Sequence, residues 1–370
     1  VIVLILVYSI YLLLIIAFTA LWARGKAFKD QSKYAPVSVV IPFRNEAQNL
    51  SPLVSSLKNQ THPDFEVLFV DDHSDDNGTS VLEDLLQDVS FKHRLLSLKK
   101  GVGKKAALAL GISESTNELI ITTDADCEMS SEWLKEMTIP FHDEKVKLLV
   151  GPVGLQGNSF WQRMQSMEST ALIGVGGTMI FHGKPTMANG ANLAYRKAVF
   201  SDVNGFDGIS GTPSGDDELL MHKVANRYTD GIAFCKSKKA VVKTAAMESW
   251  QLFKQQRLRW ASKWNYGKRG STMAIALFVF LIQLVQILLL GLILFKNDFT
   301  WQALSLVVLR LLIELIFLWS VRRSLGQRTH WLPTFFSYLL YPFYAIYIGV
   351  AANFGTFEWK GRNYNVKQAE

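Results

Sequence analysis

Cysteine is scarce. The two thiols in 370 residues, Cys127 and Cys235, are too few for a disulfide framework or a structural zinc site, and they point to a reducing compartment. Neither common phosphate-binding glycine motif is present. Gly101-Val102-Gly103 lacks a third glycine, and Gly103-Lys104-Lys105 lacks the Ser or Thr of a P-loop. Charge is missing from whole stretches: nothing charged precedes Arg24, and none occurs at 271–295 or 331–357. Uncharged apolar runs of that length read as membrane-spanning helices, which excludes a fully soluble protein. Residues 25–250 have an ordinary globular composition, which excludes a pure bundle of spans. The mean hydropathy of +0.14 averages these two parts.

The first run lacks the basic start and small-residue cleavage site of a secretion signal, so residues 1–24 are expected to be a transmembrane anchor. Arg24, Lys26, Lys29 and Lys33 follow it, which assigns that end to the cytoplasm. The stretch 256–269, with Arg257, Arg259, Lys263, Lys268 and Arg269, returns the chain to the same face. The expected protein is therefore a multi-pass membrane protein with a cytoplasmic catalytic domain. Its net charge of +7 is assigned to these flanks and to anionic lipid, with no nucleic acid among the partners. Further spans are expected near 272–295, 301–320 and 331–354, with Arg310 and Glu314 paired one helical turn apart inside the second of them. Pro342 lies midway in the last run, where it can break the helix. A re-entrant hairpin there, preceded by Arg322, Arg323 and Arg328, would return the tail to the cytoplasm.

Between the anchors the pattern is periodic. β-Branched apolar runs at 37–41, 66–70, 95–98 and 119–123 start about 25 to 30 residues apart, the length of one strand-helix unit. Asn45 is expected to cap a helix from Glu46, and Gly103 precedes a strong helix-forming run from Lys104 to Leu110. Alternation of this kind implies an α/β fold: a Rossmann-like, mostly parallel sheet with helices on both faces and ligands at the C-terminal strand edge. At that edge the second strand ends in Asp71-Asp72 and the fourth in Asp124-Ala125-Asp126. Four carboxylates in one cleft repel one another unless a cation neutralises them. Oxygen ligands favour Mg²⁺ or Mn²⁺, with a substrate diphosphate completing the shell.

Several segments, in order, resemble the family 2 glycosyltransferases of GT-A fold. They are Val37-Ser-Val-Val-Ile-Pro-Phe-Arg-Asn-Glu46, Val70-Asp-Asp72 with Ser74, Gly103-Lys104 before Ala107-Leu108, Asp124-Ala-Asp126, Gly190-Ala-Asn192, Gly215-Asp-Asp217 and Gln256-Arg-Leu-Arg259-Trp260. The last, similar to a Gln-x-x-Arg-Trp motif, narrows the resemblance to the membrane-bound branch that includes cellulose, chitin and hyaluronan synthases. The tail Trp359-Lys-Gly-Arg362-Asn-Tyr364 resembles the ending of ceramide- and carotenoid-type lipid glycosyltransferases, with Lys360 where Arg is usual.

The resemblance implies roles. Pro42, Arg44, Asn45, Glu46 and one of Asp71 and Asp72 would line the nucleoside pocket, with Lys104 nearby. Asp126, assisted by Asp124, would hold a divalent cation on the diphosphate. Asp217 would be the general base. The family usually has Glu-Asp where this chain has Asp216-Asp217, so Asp216 stays open as the base. Asn192, Gln256, Arg259 and Trp260 would face the acceptor or the diphosphate. Domains are expected at 1–24 (anchor), 36–248 (GT-A), 249–270 (amphipathic interface helix), 271–357 (membrane helices) and 358–370 (cytoplasmic tail). The implied activity is inverting transfer from a UDP-sugar to a membrane lipid. The alternative is a processive polysaccharide synthase, although so few helices are a thin basis for a polymer channel.

Overall fold

The computed structural model describes residues 2–29, 33–212, 214–262, 270–295 and 298–365. Of the basic return segment, Lys263, Lys268 and Arg269 lie outside the described residues.

The apolar first run forms helix α1 (Ile2–Arg24), and the strand-helix alternation follows. It runs β1 (Val37–Phe43), α2 (Leu50–Lys58), β2 (Phe65–Asp71), α3 (Gly78–Leu86), β3 (Lys92–Ser97), α4 (Lys104–Glu114) and β4 (Leu119–Thr122). A less regular half comprises β5 (Cys127–Glu128), α5 (Trp133–Thr138), β6 (Leu148–Val150), β7 (Val153–Gln156) and α6 (Phe160–Phe181). It continues with β8 (Leu193–Arg196), α7 (Lys197–Asp202), α8 (Glu218–Arg227), β9 (Ile232–Phe234) and β10 (Val242–Ala245). The C-terminal part is helical, α9 (Trp250–Ser262), α10 (Gly270–Leu294), α11 (Thr300–Ser324) and α12 (Trp331–Ala351), and closes with a hairpin of β11 (Thr356–Trp359) and β12 (Arg362–Asn365).

Seven strands pair in the order β3-β2-β1-β4-β8-β6-β9. β1, β2, β3 and β4 run parallel, and β8 runs antiparallel to both β4 and β6. The sheet is thus mostly parallel, as the alternation predicts. Its interior strand β1 is buried along its whole length, as expected for a strand covered on both faces. One cover is α2 with Leu50, Leu53, Val54 and Leu57. The other is α4, where a Cβ at Gly111 would lie 2.4 Å from Val40 Cγ1, so only glycine allows the helix this close.

The expected start of α2 is corrected. The helix begins at Leu50, not Glu46. Asn45 sits at φ +53°, and its Oδ1 accepts from the Asp75 amide at 2.7 Å. Asparagine tolerates the left-handed region, and its side chain ties the loop after β1 to the loop after β2 instead of capping a helix.

Among the described residues, four helices are long and apolar enough to cross a membrane: α1, α10, α11 and α12. The Arg310–Glu314 pair forms within α11 at 2.7 Å. It is extended by Gln283 and Gln286 of α10, each 3.2 Å from the guanidinium, and by Tyr11 of α1 on Glu314 at 2.5 Å. A shared polar knot of this kind joins three apolar helices where lipid offers no partners.

The expected break at Pro342 does not occur. α12 is continuous through it; a proline removes only one donor, and the neighbouring helices support the segment. The tail nevertheless returns to the α/β domain. Near the start of α12, Phe336 packs on Phe160 and Ser337 donates to the Met164 carbonyl of α6. Near its end, Tyr344 and Tyr347 pack on Phe253 and Trp250 of α9. The start of α12 thus abuts the α/β domain, and its end abuts α9.

Candidate functional site

The C-terminal edge of the sheet gathers the acids, and the chain supplies its own counter-charges. Thr122 ends β4, so Asp124 and Asp126 follow directly on the turn. A tight turn at Gly103, φ +97°, starts α4 with Lys104, whose Nζ lies 2.6 Å from Asp124 and 3.0 Å from Asp216. Burial opposes the charge on Lys104, but Asp124 and then Asp216 hold the ammonium well above its ordinary value. Burial raises the Asp124 carboxyl despite Lys104. At Asp216 burial is outweighed by Lys104, and the carboxyl is held low. A buried lysine between two carboxylates therefore performs, within the protein, much of the neutralisation that the sequence assigns to a metal.

Asp217 is arranged differently. It is the N-cap of α8: Oδ1 accepts from the Glu218 amide at 2.6 Å, and Oδ2 accepts from the Gly190 amide at 3.1 Å. It is half-buried and bonded to no cation among the described residues. Gly190 fits because it has no side chain; a Cβ there would lie 2.5 Å from Asp216 Oδ2 and 3.0 Å from Lys104 Nζ.

On the other side of Lys104, Asp72 is 3% exposed and accepts from the Gly103 amide at 2.9 Å. Burial pushes its carboxyl up, but the Gly103 amide and Arg362 hold it below the usual range. Asp71 is turned to Ser74, accepting from its amide at 3.0 Å and its hydroxyl at 2.5 Å. Pro42 lies inside β1, paired with Val70. Arg44 donates to the carbonyls of Asp72, at 2.9 Å, and of His73, and pairs with Asp75 at 2.8 Å.

By resemblance the tail belongs on the cytoplasmic side at the active site, but none of its residues is among the expected site residues; the structure brings two of them, Lys360 and Arg362, to the acids. Arg362 grips Asp72 with both terminal nitrogens, at 3.0 and 3.4 Å. Lys360 pairs with Glu46, and its carbonyl accepts from Arg44 Nε at 3.3 Å. Burial raises the Glu46 carboxyl, partly offset by Lys360. Phe357 packs on Leu258 of α9, and the Arg259 guanidinium lies 5.2 Å from the Trp359 ring. The signal for this was the tail motif, whose two basic residues find acids more than 280 positions away.

Two expected acceptor contacts are revised. Asn192 is fully buried: its amide donates to the carbonyls of Pro152 and Ala240 at 2.9 and 2.8 Å, and its Oδ1 accepts from Trp133 Nε1 at 2.9 Å. With its polar atoms committed to the core, it has none to offer a substrate. It is the neighbouring Gly190 that touches Asp217. Trp260 is not a free platform either, because the Arg257 guanidinium lies 4.3 Å from its ring centre. That same Arg257, expected only as one of the basic residues of the return segment, forms a buried two-pronged pair with Glu168 of α6 at 2.8 and 3.1 Å. Gln256 accepts from Arg257 at 2.5 Å.

Among the described residues no three His, Cys, Asp or Glu side chains form a closed metal cage. Asp126 is exposed; its Oδ2 accepts from Thr244 at 3.1 Å, and its Oδ1 meets the Cys127 thiol at 3.6 Å. Two carboxylates on one turn, one of them open, fit a hard dication that takes its remaining oxygens from a diphosphate.

Residues 38–203 match the family "Glycosyl transferase family 2". The segment is a family 2 glycosyltransferase domain. Curated relatives include a putative glycosyltransferase, CsbB, of Bacillus subtilis, 29% identical over 137 residues, which are 36% of this chain and 41% of that protein. An undecaprenyl-phosphate 4-deoxy-4-formamido-L-arabinose transferase of Enterobacter is 34% identical over 99 residues, 26% of this chain and 30% of that one. The chain thus spans less than half the length of either relative. Among solved structures, a mannosyltransferase from Pyrobaculum calidifontis in complex with GDP-mannose and Mn²⁺ superposes with TM-score 0.60 at 15% identity, covering 95% of this chain and 96% of that one. With that coverage the likeness in fold includes the long apolar helices as well as the α/β domain. The expected fold, a GT-A-type sheet joined to membrane helices, holds.

Proposed function

We propose that this chain transfers one sugar from a UDP-sugar to the hydroxyl of a membrane lipid, inverting the anomeric centre, with the glycosyltransferase domain in the cytoplasm. The observation that carries the reading is the meeting of Asp124, Asp126 and the Asp216–Asp217 pair at one sheet edge, beneath a roof of α9 and the hairpin that continues from the apolar helix α12. Such a site has a polar donor side and a side that faces helices in lipid. The polyprenyl phosphate in the name of the Enterobacter relative supports a lipid acceptor.

The residues divide the work. One of Asp71 and Asp72 accepts from the nucleobase, while Arg44 braces the loop that follows them. Lys104 and Arg259 offer positive charge to the diphosphate. A divalent cation held by Asp126 and Asp124 would make the leaving diphosphate less basic. Asp217 Oδ2 takes the acceptor proton as the new C–O bond forms and the bond from the anomeric carbon to the diphosphate breaks; one base acting in line requires no covalent sugar–enzyme intermediate. The basic flanks of the apolar helices support the cytoplasmic orientation.

The deciding experiment incubates purified protein with a panel of UDP-sugars and a membrane lipid extract, followed by mass spectrometry. A lipid gaining one sugar, with the anomeric configuration opposite to the donor, is expected. A water-soluble polymer that lengthens with time in the absence of added lipid would replace this reading with a processive synthase.

A further inference from the structure

Lys105 has no part in the scheme above, yet it is 8% exposed, and its ammonium is directed at backbone. It donates to the carbonyls of Ile209, Thr212 and Ser214, the last two at 2.8 Å. An ammonium has three N–H groups, and here three carbonyls take them. Burying an ammonium among neutral acceptors is costly compared with burying an apolar side chain of similar length. The arrangement therefore calls for a role beyond filling space.

The carbonyls belong to the segment that leads into Asp216 and Asp217. It holds Gly208, Gly211 and Gly215, and Gly208 and Gly215 take φ of +78° and +84°. Three glycines give this backbone many conformations to lose on folding, and Thr212 and Ser214 are nevertheless held buried. Successive residues of a helix point about 100° apart. The first turn of α4 thus aims Lys104 at the side chain of Asp216 and Lys105 at the backbone just before it. Two adjacent lysines hold the same loop, one by its acid and one by its carbonyls.

We propose that Lys105 is a positioning residue for the transfer reaction, pinning the backbone at Ile209, Thr212 and Ser214 so that Asp217 stands at the acceptor. The proposal rests on the reading of Asp217 as the base, and it makes a claim about the loop that is measurable without catalysis. Lys105 touches neither donor nor acceptor in this account. Its loss should therefore lower kcat and leave donor binding in place, since a base displaced by about 1 Å can cost up to roughly 100-fold in rate.

The test uses the full chain in detergent or nanodiscs, as Lys105→Met and Lys105→Gln. Hydrogen exchange of peptides covering 206–218 is compared with peptides covering β1 and β2, alongside UDP affinity, kcat and KM. Expected for Lys105→Met are exchange at least about tenfold faster in 206–218, unchanged exchange in the strands, UDP affinity within about threefold, and kcat lower by about 10- to 100-fold. Lys105→Gln, which keeps two donors, should fall between; it also supplies the comparison if the Met variant does not fold. Unchanged exchange in the loop overturns the proposal, as does faster exchange with kcat intact. Should the unsubstituted protein transfer no sugar, the base assignment to Asp217 falls; the exchange data would then refute or retain the pinning of the loop alone.

Discussion

At the scale of residues, adjacent Asp216 and Asp217 look interchangeable in sequence, and tertiary contacts separate them. Asp216 is committed to Lys104 in a buried pair, whereas Asp217 holds only amides. A carboxylate bonded by amides and free of a cation can still accept a proton; one neutralising a buried ammonium does so only by abandoning it. Asp217→Asn should therefore lower turnover by about 10²–10⁴-fold with donor binding preserved. Asp216→Asn should chiefly reduce stability, by roughly 1–3 kcal/mol for a weakened charged contact. Steady-state kinetics and thermal unfolding on both variants check this, and activity that survives in Asp217→Asn while vanishing in Asp216→Asn would exchange their roles. Gly190→Ala should abolish turnover as well, because its Cβ has no room beside Asp216 and Lys104. An active, stable Gly190→Ala enzyme would show that this contact is not needed.

At the scale of elements, the hairpin β11–β12 is tied to the site by Arg362 on Asp72 and Lys360 on Glu46. The folded Asp72 carboxyl lies below its ordinary value, so its contribution to docking is fully present above the unfolded value of about 3.9 and is lost as pH falls through the lower, folded one. Pepsin cleavage within 356–365, followed by mass spectrometry, should be slow at pH 5 and faster below about pH 4. Arg362→Ala should make it fast already at pH 5 and weaken UDP binding, because Asp72 loses the partner that orients it. Equal cleavage of the two proteins at pH 5 would separate the hairpin from Asp72. Here the sequence was legible only in part: the tail motif marked the segment, but no local pattern tells which distant acid a surface arginine will meet.

At the scale of the whole molecule, two predictions concern charge and orientation. If the Asp124/Asp126 turn holds a cation on the diphosphate, excess EDTA should abolish transfer, Mn²⁺ or Mg²⁺ should restore it, and Asp126→Ala should not be rescued by either. Full activity in EDTA would leave the counter-charge to Lys104 and Arg259. The contacts at both ends of α12 also require the α11–α12 connection and the hairpin to share one side of the membrane with the domain. Single cysteines placed at Arg328 and Gly361, in a background lacking Cys127 and Cys235, should therefore label from the same side in oriented vesicles. Labelling from opposite sides would make α12 a full crossing and remove the hairpin from the site.

What the sequence determined by itself are features carried by local pattern. Apolar run length set the long uncharged helices α1, α10 and α12, period and β-branching set β1, β2 and β4, and the carboxylates at strand ends marked the sheet edge that holds the candidate site. These follow because secondary structure and strand-end position depend on residues close in the chain. Only tertiary structure decided the partners. Asn192 reads as a site residue from its motif, but Trp133 and two carbonyls claim it. Asn45 reads as a cap, but a neighbouring loop takes its side chain. The four acids read as a cluster that needs a cation, but Lys104 reaches Asp124 and Arg362 reaches Asp72 across the fold. Ion pairs and buried hydrogen bonds join groups far apart in sequence, and their choice depends on which surfaces packing brings within about 3 Å of each other, a distance that spacing along the chain does not encode.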